Sequence, residues 1–209
     1  MDYTTVSPPN IEWLQVKLSK DEVNFLWNSI RNVNKGKKYR INNVLAGNIS
    51  NSYSLDMGDG EKFFNNTLIK LCNAYRQEQR MYNSRYPFDD RKSIYKLSTW
   101  WVNYQKQTEF NPIHDHSGFF SFVIWMDIPT DWEDQVKLPI SRDSNNECVS
   151  SFAINYSNIL GGHETYTYNL SPEFNGRMLF FPSALKHQVY PFYNCNKERI
   201  SISGNIIET

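Results

Sequence analysis

Apolar and polar positions in the first third of the chain alternate briefly and then recur at helical spacing. Ile11 to Leu18 alternates, which predicts a short strand. Ser19-Lys20-Asp21-Glu22 has the form of a capping box, with Ser at the N-cap and Glu three residues on. Val23, Leu26, Trp27, Ile30 and Val33 follow at i, i+3, i+4, i+7 and i+10, one face of a helix that ends before Asn34-Lys35-Gly36. Residues 37–60 are polar and predicted irregular, with short apolar pieces around Val44-Leu45 and Tyr53 to Leu55. A second helix is predicted over 61–83, where Phe64, Leu68, Leu71, Cys72 and Tyr75 share a face.

From residue 93 the period shortens. Seven β-rich runs are predicted, at 94–105, 119–128, 150–157, 164–170, 177–182, 187–192 and 199–207. Turn formers separate them, among them Asn111-Pro112, Pro129, Gly161-Gly162 and Pro172, while 130–149 reads as a surface excursion. The pattern predicts a mainly β fold, an antiparallel sandwich or barrel with N-terminal helices packed outside. One domain is expected over 1–209, with 1–92 as helical support and 93–209 as the β core.

Composition narrows the function classes. Lys+Arg and Asp+Glu balance at 22 each, which argues against non-specific grip on nucleic acid or an anionic membrane. Hydrophobic residues at 40% and aromatics at 15% supply enough apolar area for a real core, so global disorder is excluded. The three cysteines are far apart and form no CxxC pair, which argues against a zinc site or disulfide framework. The first residues lack the apolar stretch of a signal peptide, and no apolar run approaches the ~18 residues of a membrane span. A soluble, cytoplasmic protein is expected.

Histidine is scarce, with four in the chain, and two of them fall in His114-Asp115-His116. On an extended backbone His114 and His116 share one face and Asp115 takes the other. Two imidazoles in reach of one point are half of a metal site; a solvated polar turn is the competing account. The almost wholly apolar run Phe119 to Ile128 that follows favours the metal. A third histidine, His187, opens a strand after Phe180-Phe181-Pro182-Ser183. Beyond it Arg199, Ser201 and Ser203 alternate with Ile200 and Ile202, so one strand face carries a guanidinium and two hydroxyls. A bound carboxylate would suit that arginine through a bidentate pair; an acid on a neighbouring strand is the other partner open to it.

Taken in order, the His-x-His after an Asn-bearing strand, the FFPS run leading to His187 and the Arg-x-Ser strand resemble the 2-oxoglutarate- and Fe(II)-dependent oxygenases. They are most similar to a small-protein branch found in bacteria and in tailed phages of marine cyanobacteria, and the resemblance covers residues 95–207. It implies a double-stranded β-helix, a jelly-roll, cupin-like core with Fe(II) at its open end and 2-oxoglutarate and O2 as co-substrates. His114 takes the place of the first iron ligand and His187 that of the last. Arg199 takes the place of the arginine that grips the distal carboxylate of 2-oxoglutarate, with Ser201 as its hydroxyl helper. The wider superfamily has His-x-Asp where this chain has His116, so a three-histidine set is expected, and Asp115 is the alternative middle ligand. Asn103 and Tyr104 are candidates to face the co-substrate, with core and sheet packing the equal alternative. Trp100, Trp101, Phe120, Phe122 and Trp125 are expected in the core, and Asn205 at a sheet end or in the pocket.

The implied reaction is hydroxylation of a peptidyl side chain such as proline, or of a small metabolite, in the host cytoplasm if the chain is of phage origin. Two readings compete: a three-histidine cupin-like dioxygenase without 2-oxoglutarate, and a non-catalytic jelly-roll binding or virion protein. Because imidazole ligands must be deprotonated, metal affinity is expected to fall below roughly pH 6.5.

Overall fold

The structure, a computed structural model, describes residues 2, 4, 10–36, 39–82, 94–145 and 148–209, and for 78–82 only the backbone. The capping box closes as the sequence predicts. Ser19 Oγ accepts from the Glu22 amide at 3.3 Å, and the Glu22 carboxylate accepts from the Ser19 amide at 2.8 Å. Both satisfy amides that the first turn of α1 (Lys20–Arg31) leaves without helical partners. Leu26 and Ile30 are buried, and Val23, Trp27 and Val33 pack beside them.

The second helix begins before its predicted start. Asp56 accepts from the Asp59 amide at 3.1 Å and caps α2 (Met57–Phe63). A π-helical turn, Phe64–Leu68, leads into α3 (Ile69–Tyr82). Two glycines in the first turn, Gly58 and Gly60, weaken the sequence signal there. Gly60 is needed because a Cβ would meet the Trp100 indole at 2.8 Å. The predicted last residue, 83, and the expected boundary at 92–93 lie outside the described residues.

Among the described residues, ten strands form two antiparallel sheets. In chain order they are β1 (Leu14–Lys17), β2 (Asn51–Ser54), β3 (Tyr95–Gln105), β4 (Asn111–His114), β5 (Phe120–Asp127), β6 (Ser151–Ser157), β7 (His163–Asn169), β8 (Arg177–Pro182), β9 (Lys186–Val189) and β10 (Arg199–Glu208). The large sheet runs β1-β8-β5-β10-β3-β2 and the small one β4-β9-β6-β7. This is the jelly-roll architecture. β2 falls in the stretch predicted irregular: it is a polar edge strand whose four residues pair with β3, with a further bridge from Tyr53 to Arg40. The excursion at 130–149 carries one short helix, α4 (Trp132–Gln135).

Alternation on the large sheet separates two cores. Val102, Phe120, Phe122, Ile124 and Ile202 face the helices, while Val123, Trp125, Leu179 and Phe181 meet Phe152 and Ile154 of the small sheet. Trp100 and Phe120 are core, as expected. Among the described residues no helix is long and apolar enough to cross a membrane.

Candidate functional site

Three of the four histidines converge at one end of the sandwich. His114 ends β4 and lies directly across the ladder from His187 of β9, after a register shift between Asn111 and His114. The two rings are 4.3 Å apart, centre to centre. His116 follows beyond the strand, where its amide donates to Ser183 O at 2.9 Å. Its ring sits 5.0 Å from each of the other two. Gly118 makes the return into β5 at φ +124, and a Cβ there would lie 2.9 Å from Ile206 O, so only glycine fits without displacement. One ring nitrogen from each histidine lies within 4.8 Å of the others, a spacing that fits one cation bound in common.

Hydrogen bonding sets which nitrogen is free. Pro112 O lies 2.7 Å from His114 Nδ1, and Leu185 O lies 2.9 Å from His187 Nδ1. A carbonyl only accepts, so both Nδ1 atoms carry hydrogen and both Nε2 atoms keep their lone pairs. His116 packs against the Trp101 ring at 5.9 Å. Burial, reinforced by the other imidazoles, pushes His187 down to about 3 and His116 to about 4. Burial also lowers His114. Three neutral donors are therefore ready at neutral pH, and protons compete for them only at lower pH than the sequence led one to expect.

Asp115 points elsewhere. Its carboxylate accepts from Lys186 Nζ at 3.0 Å on the solvent side, and that contact holds its pKa below the ordinary value. The set brought together is three imidazoles.

Arg199, at the start of β10, is 1% exposed. Its Nη2 donates to Ser150 Oγ at 2.8 Å and its Nη1 to Gln105 Oε1 at 3.3 Å and Tyr190 O at 3.4 Å. The Phe192 ring lies against the guanidinium at 4.9 Å. Among the described residues no carboxylate pairs with it, and Nε has no hydrogen-bond partner. Burial alone pushes its pKa down to about 9. A buried cation without an anion is costly, and this one borders the same cavity as the histidines.

That cavity, about 50 Å³, runs between the sheets. Register explains its polar wall: Arg199 faces Gln105, Ser201 faces Asn103, and Ser203 faces Trp101 across β10 and β3. Ser52 of β2 extends the row, its hydroxyl donating to Asn103 Oδ1 at 2.7 Å. Ser201 and Asn103 thus line the chamber as expected. Tyr104 does not. Successive strand residues point to opposite faces, so Tyr104 joins the helix-side core against Tyr53, ring centres 6.2 Å apart. Trp101 and Trp125, expected as core rather than a substrate cage, also line the chamber. Gln105 was legible in principle, two residues beyond Asn103 on the same face. Ser150 carries no sequence signal.

A second cleft, about 530 Å³, opens outside the first and is lined by Val44, Leu55, Met57, Thr99 and Asn205 among others. The two share Leu45, Ala46, Trp101, His114 and His116, so the histidine cluster stands where the inner chamber meets the outer cleft.

A family model described as "Putative 2OG-Fe(II) oxygenase" matches residues 99–205. No curated protein matches the chain. Among solved structures, a 2OG-Fe(II) oxygenase family oxidoreductase from Burkholderia pseudomallei aligns at 15% identity and TM-score 0.40, over 56% of this chain and 47% of that one, under half of that protein's length. A Pseudomonas putida prolyl-4-hydroxylase aligns at 14% identity and TM-score 0.49, over 95% and 94% of the two chains. The viral collagen prolyl hydroxylase of Paramecium Bursaria Chlorella virus-1, in its 2OG complex, aligns at 14% identity and TM-score 0.47, over 93% and 94%. The family match spans half the chain and takes in all three clustered histidines and Arg199, and on it the chain belongs to the 2OG-Fe(II) oxygenases, enzymes that use Fe(II), 2-oxoglutarate and O2.

Proposed function

We propose that His114, His116 and His187 hold the Fe(II), that Arg199 holds the distal carboxylate of 2-oxoglutarate, and that the enzyme is a hydroxylase. The observation that carries this is Arg199: a wholly buried guanidinium, without a carboxylate among the described residues, on the chamber that begins at a cluster of three neutral imidazoles. The donor set fits a divalent metal, since the two Nε2 atoms freed by Pro112 O and Leu185 O are fixed in tautomer before any ligand arrives.

Bound iron supplies the coupling of 2-oxoglutarate decarboxylation, with O2, to oxidation of a substrate C–H bond. The protein's part is orientation and exclusion. Three uncharged ligands leave the metal's charge uncompensated, so a dianionic co-substrate meets positive charge at both ends of the chamber, the metal at one and Arg199 at the other. Ser201 and Asn103 offer hydrogen bonds along its length. Trp125 and Phe181 of the large sheet and Phe152 of the small one line the chamber with apolar surface that keeps water out. The primary substrate, a peptidyl side chain such as proline or a small metabolite, would approach through the outer cleft, which reaches His114 and His116 but neither His187 nor Arg199.

The test is stoichiometric. Native protein with Fe(II) should release one succinate per 2-oxoglutarate consumed, and Arg199→Ala should lose that turnover at ordinary co-substrate concentrations. Turnover that persists without 2-oxoglutarate would reject the proposal in favour of a three-histidine dioxygenase that needs no co-substrate.

A further inference from the structure

The shortest bond to Arg199 comes from a serine in a backbone conformation that serines rarely adopt. Ser150 sits at φ +47, in the left-handed region where glycine is at ease and other residues are strained. It lies just before β6 and is wholly buried. Its amide donates to Pro191 O at 2.8 Å, and its carbonyl accepts from the Leu170 amide at 2.9 Å. These two bonds tie the start of β6 to the β9–β10 connection and to the end of β7. They involve main chain only and hold whatever the side chain is.

The hydroxyl therefore has its own task. A guanidinium can only donate, so Ser150 Oγ must accept from Nη2 at 2.8 Å. Its own proton is then left for Leu170 O at 3.4 Å or Thr130 Oγ1 at 3.3 Å. The remaining bonds to the guanidinium are longer, and one of them comes from a backbone carbonyl. Ser150 does not line the chamber. Its contact is with the far side of the arginine.

We propose that Ser150 is a positioning residue for the co-substrate: a strained serine is kept at this turn because its hydroxyl fixes the Arg199 guanidinium in the orientation that receives a carboxylate. The proposal rests on the reading of Arg199 given above. It distinguishes Ser150 from a turn residue with a structural role, for which glycine would serve as well or better. Ser150→Gly keeps the backbone conformation, relieves the strain and removes the hydroxymethyl group, whose one polar atom is the hydroxyl.

The experiment is calorimetric titration of Mn(II)-loaded protein under anoxia with two ligands, 2-oxoglutarate and 2-oxobutanoate. The second has the same oxo-acid end and no distal carboxylate. Ser150→Gly should bind 2-oxoglutarate about tenfold or more weaker than native protein, and 2-oxobutanoate within about twofold. Glycine relieves the backbone strain but leaves Nη2 without its acceptor, so the melting temperature should stay within about 5 °C of native protein. Equal weakening of both ligands, or no weakening of either, overturns the proposal. Arg199→Met keeps the two layers of the argument apart. Undiminished 2-oxoglutarate binding in that variant overturns the reading of Arg199 itself. Binding lost in Arg199→Met but native in Ser150→Gly overturns the role of Ser150 alone.

Discussion

Replacing Arg199 with methionine should leave the free protein about as stable as before and abolish its response to 2-oxoglutarate. Two opposed effects cancel in the free protein. Burial lowers the guanidinium from 12.5 to about 9; at ~1.36 kcal/mol per unit this corresponds to roughly 5 kcal/mol of desolvation that methionine would not incur. Against it, Ser150 Oγ, Gln105 Oε1 and Tyr190 O each lose a donor, at about 1–3 kcal/mol apiece. The balance lies near zero, so the melting temperature should move by about 5 °C or less. Ligand binding has no such compensation. Removing the cation that pairs with a buried carboxylate costs about 2–5 kcal/mol, a loss of about 30-fold or more in affinity. At about 100 times its dissociation constant, 2-oxoglutarate stabilises native protein by about 2.7 kcal/mol. For a chain of this size that raises the melting temperature by about 5–11 °C. The variant at the same concentration should gain about 3 °C or less. The assay is scanning calorimetry of Mn(II)-loaded protein under anoxia, with and without 2-oxoglutarate. A full ligand shift in Arg199→Met would refute the carboxylate argument. A collapse of the free variant by more than about 10 °C would show instead that the arginine is structural.

Other outcomes follow from the same geometry. The clustered imidazoles are neutral in the fold and bind protons more readily once unfolded, since burial holds His116 near 4 and His187 near 3 against an ordinary 6.5. Metal-free protein should thus lose stability as pH falls below 6.5, with the slope levelling off near 3; denaturant titration across this range reads it, and a flat profile contradicts it. Gly118→Ala should lower stability by about 1–3 kcal/mol in thermal unfolding and weaken metal binding, because a Cβ forces the turn that carries His116 away from Ile206 O. Tyr104→Phe should leave 2-oxoglutarate affinity unchanged by calorimetry, since that hydroxyl lies on the helix side of the sheet. Leu26→Ala, at a fully buried position of α1, should cost about 2–5 kcal/mol in denaturant unfolding.

Much of this site was legible because its chemistry is local. His114 and His116 stand two apart in sequence, and the Arg199, Ser201, Ser203 alternation survives folding as a polar wall. The parts that were not legible depend on partners far along the chain. Gln105 and Ser150 reach Arg199 across 94 and 49 residues, the first by strand register and the second by the packing of the turn before β6 of the small sheet against β10 of the large one. His187 meets His114 because β4 pairs with β9 after a register shift, and β4 was absent from the predicted strands, being four residues around a proline. Tyr104 takes the core packing that was the equal alternative to facing the co-substrate, because it lies on the opposite strand face from Asn103. β2 escaped because Asn-Ser-Tyr-Ser has no apolar alternation; its support comes from pairing with β3. The early start of α2 was masked by glycines that serve close packing on Trp100.

The measurement that bears most directly on the proposed centre is equilibrium Fe(II) binding under anoxia for native protein, His114→Ala, His116→Ala, His187→Ala and Asp115→Ala. The account predicts one Fe(II) per native chain, severe loss in each of the three histidine variants, and near-native binding in Asp115→Ala. Loss in Asp115→Ala with retention in His116→Ala would contradict the three-imidazole centre.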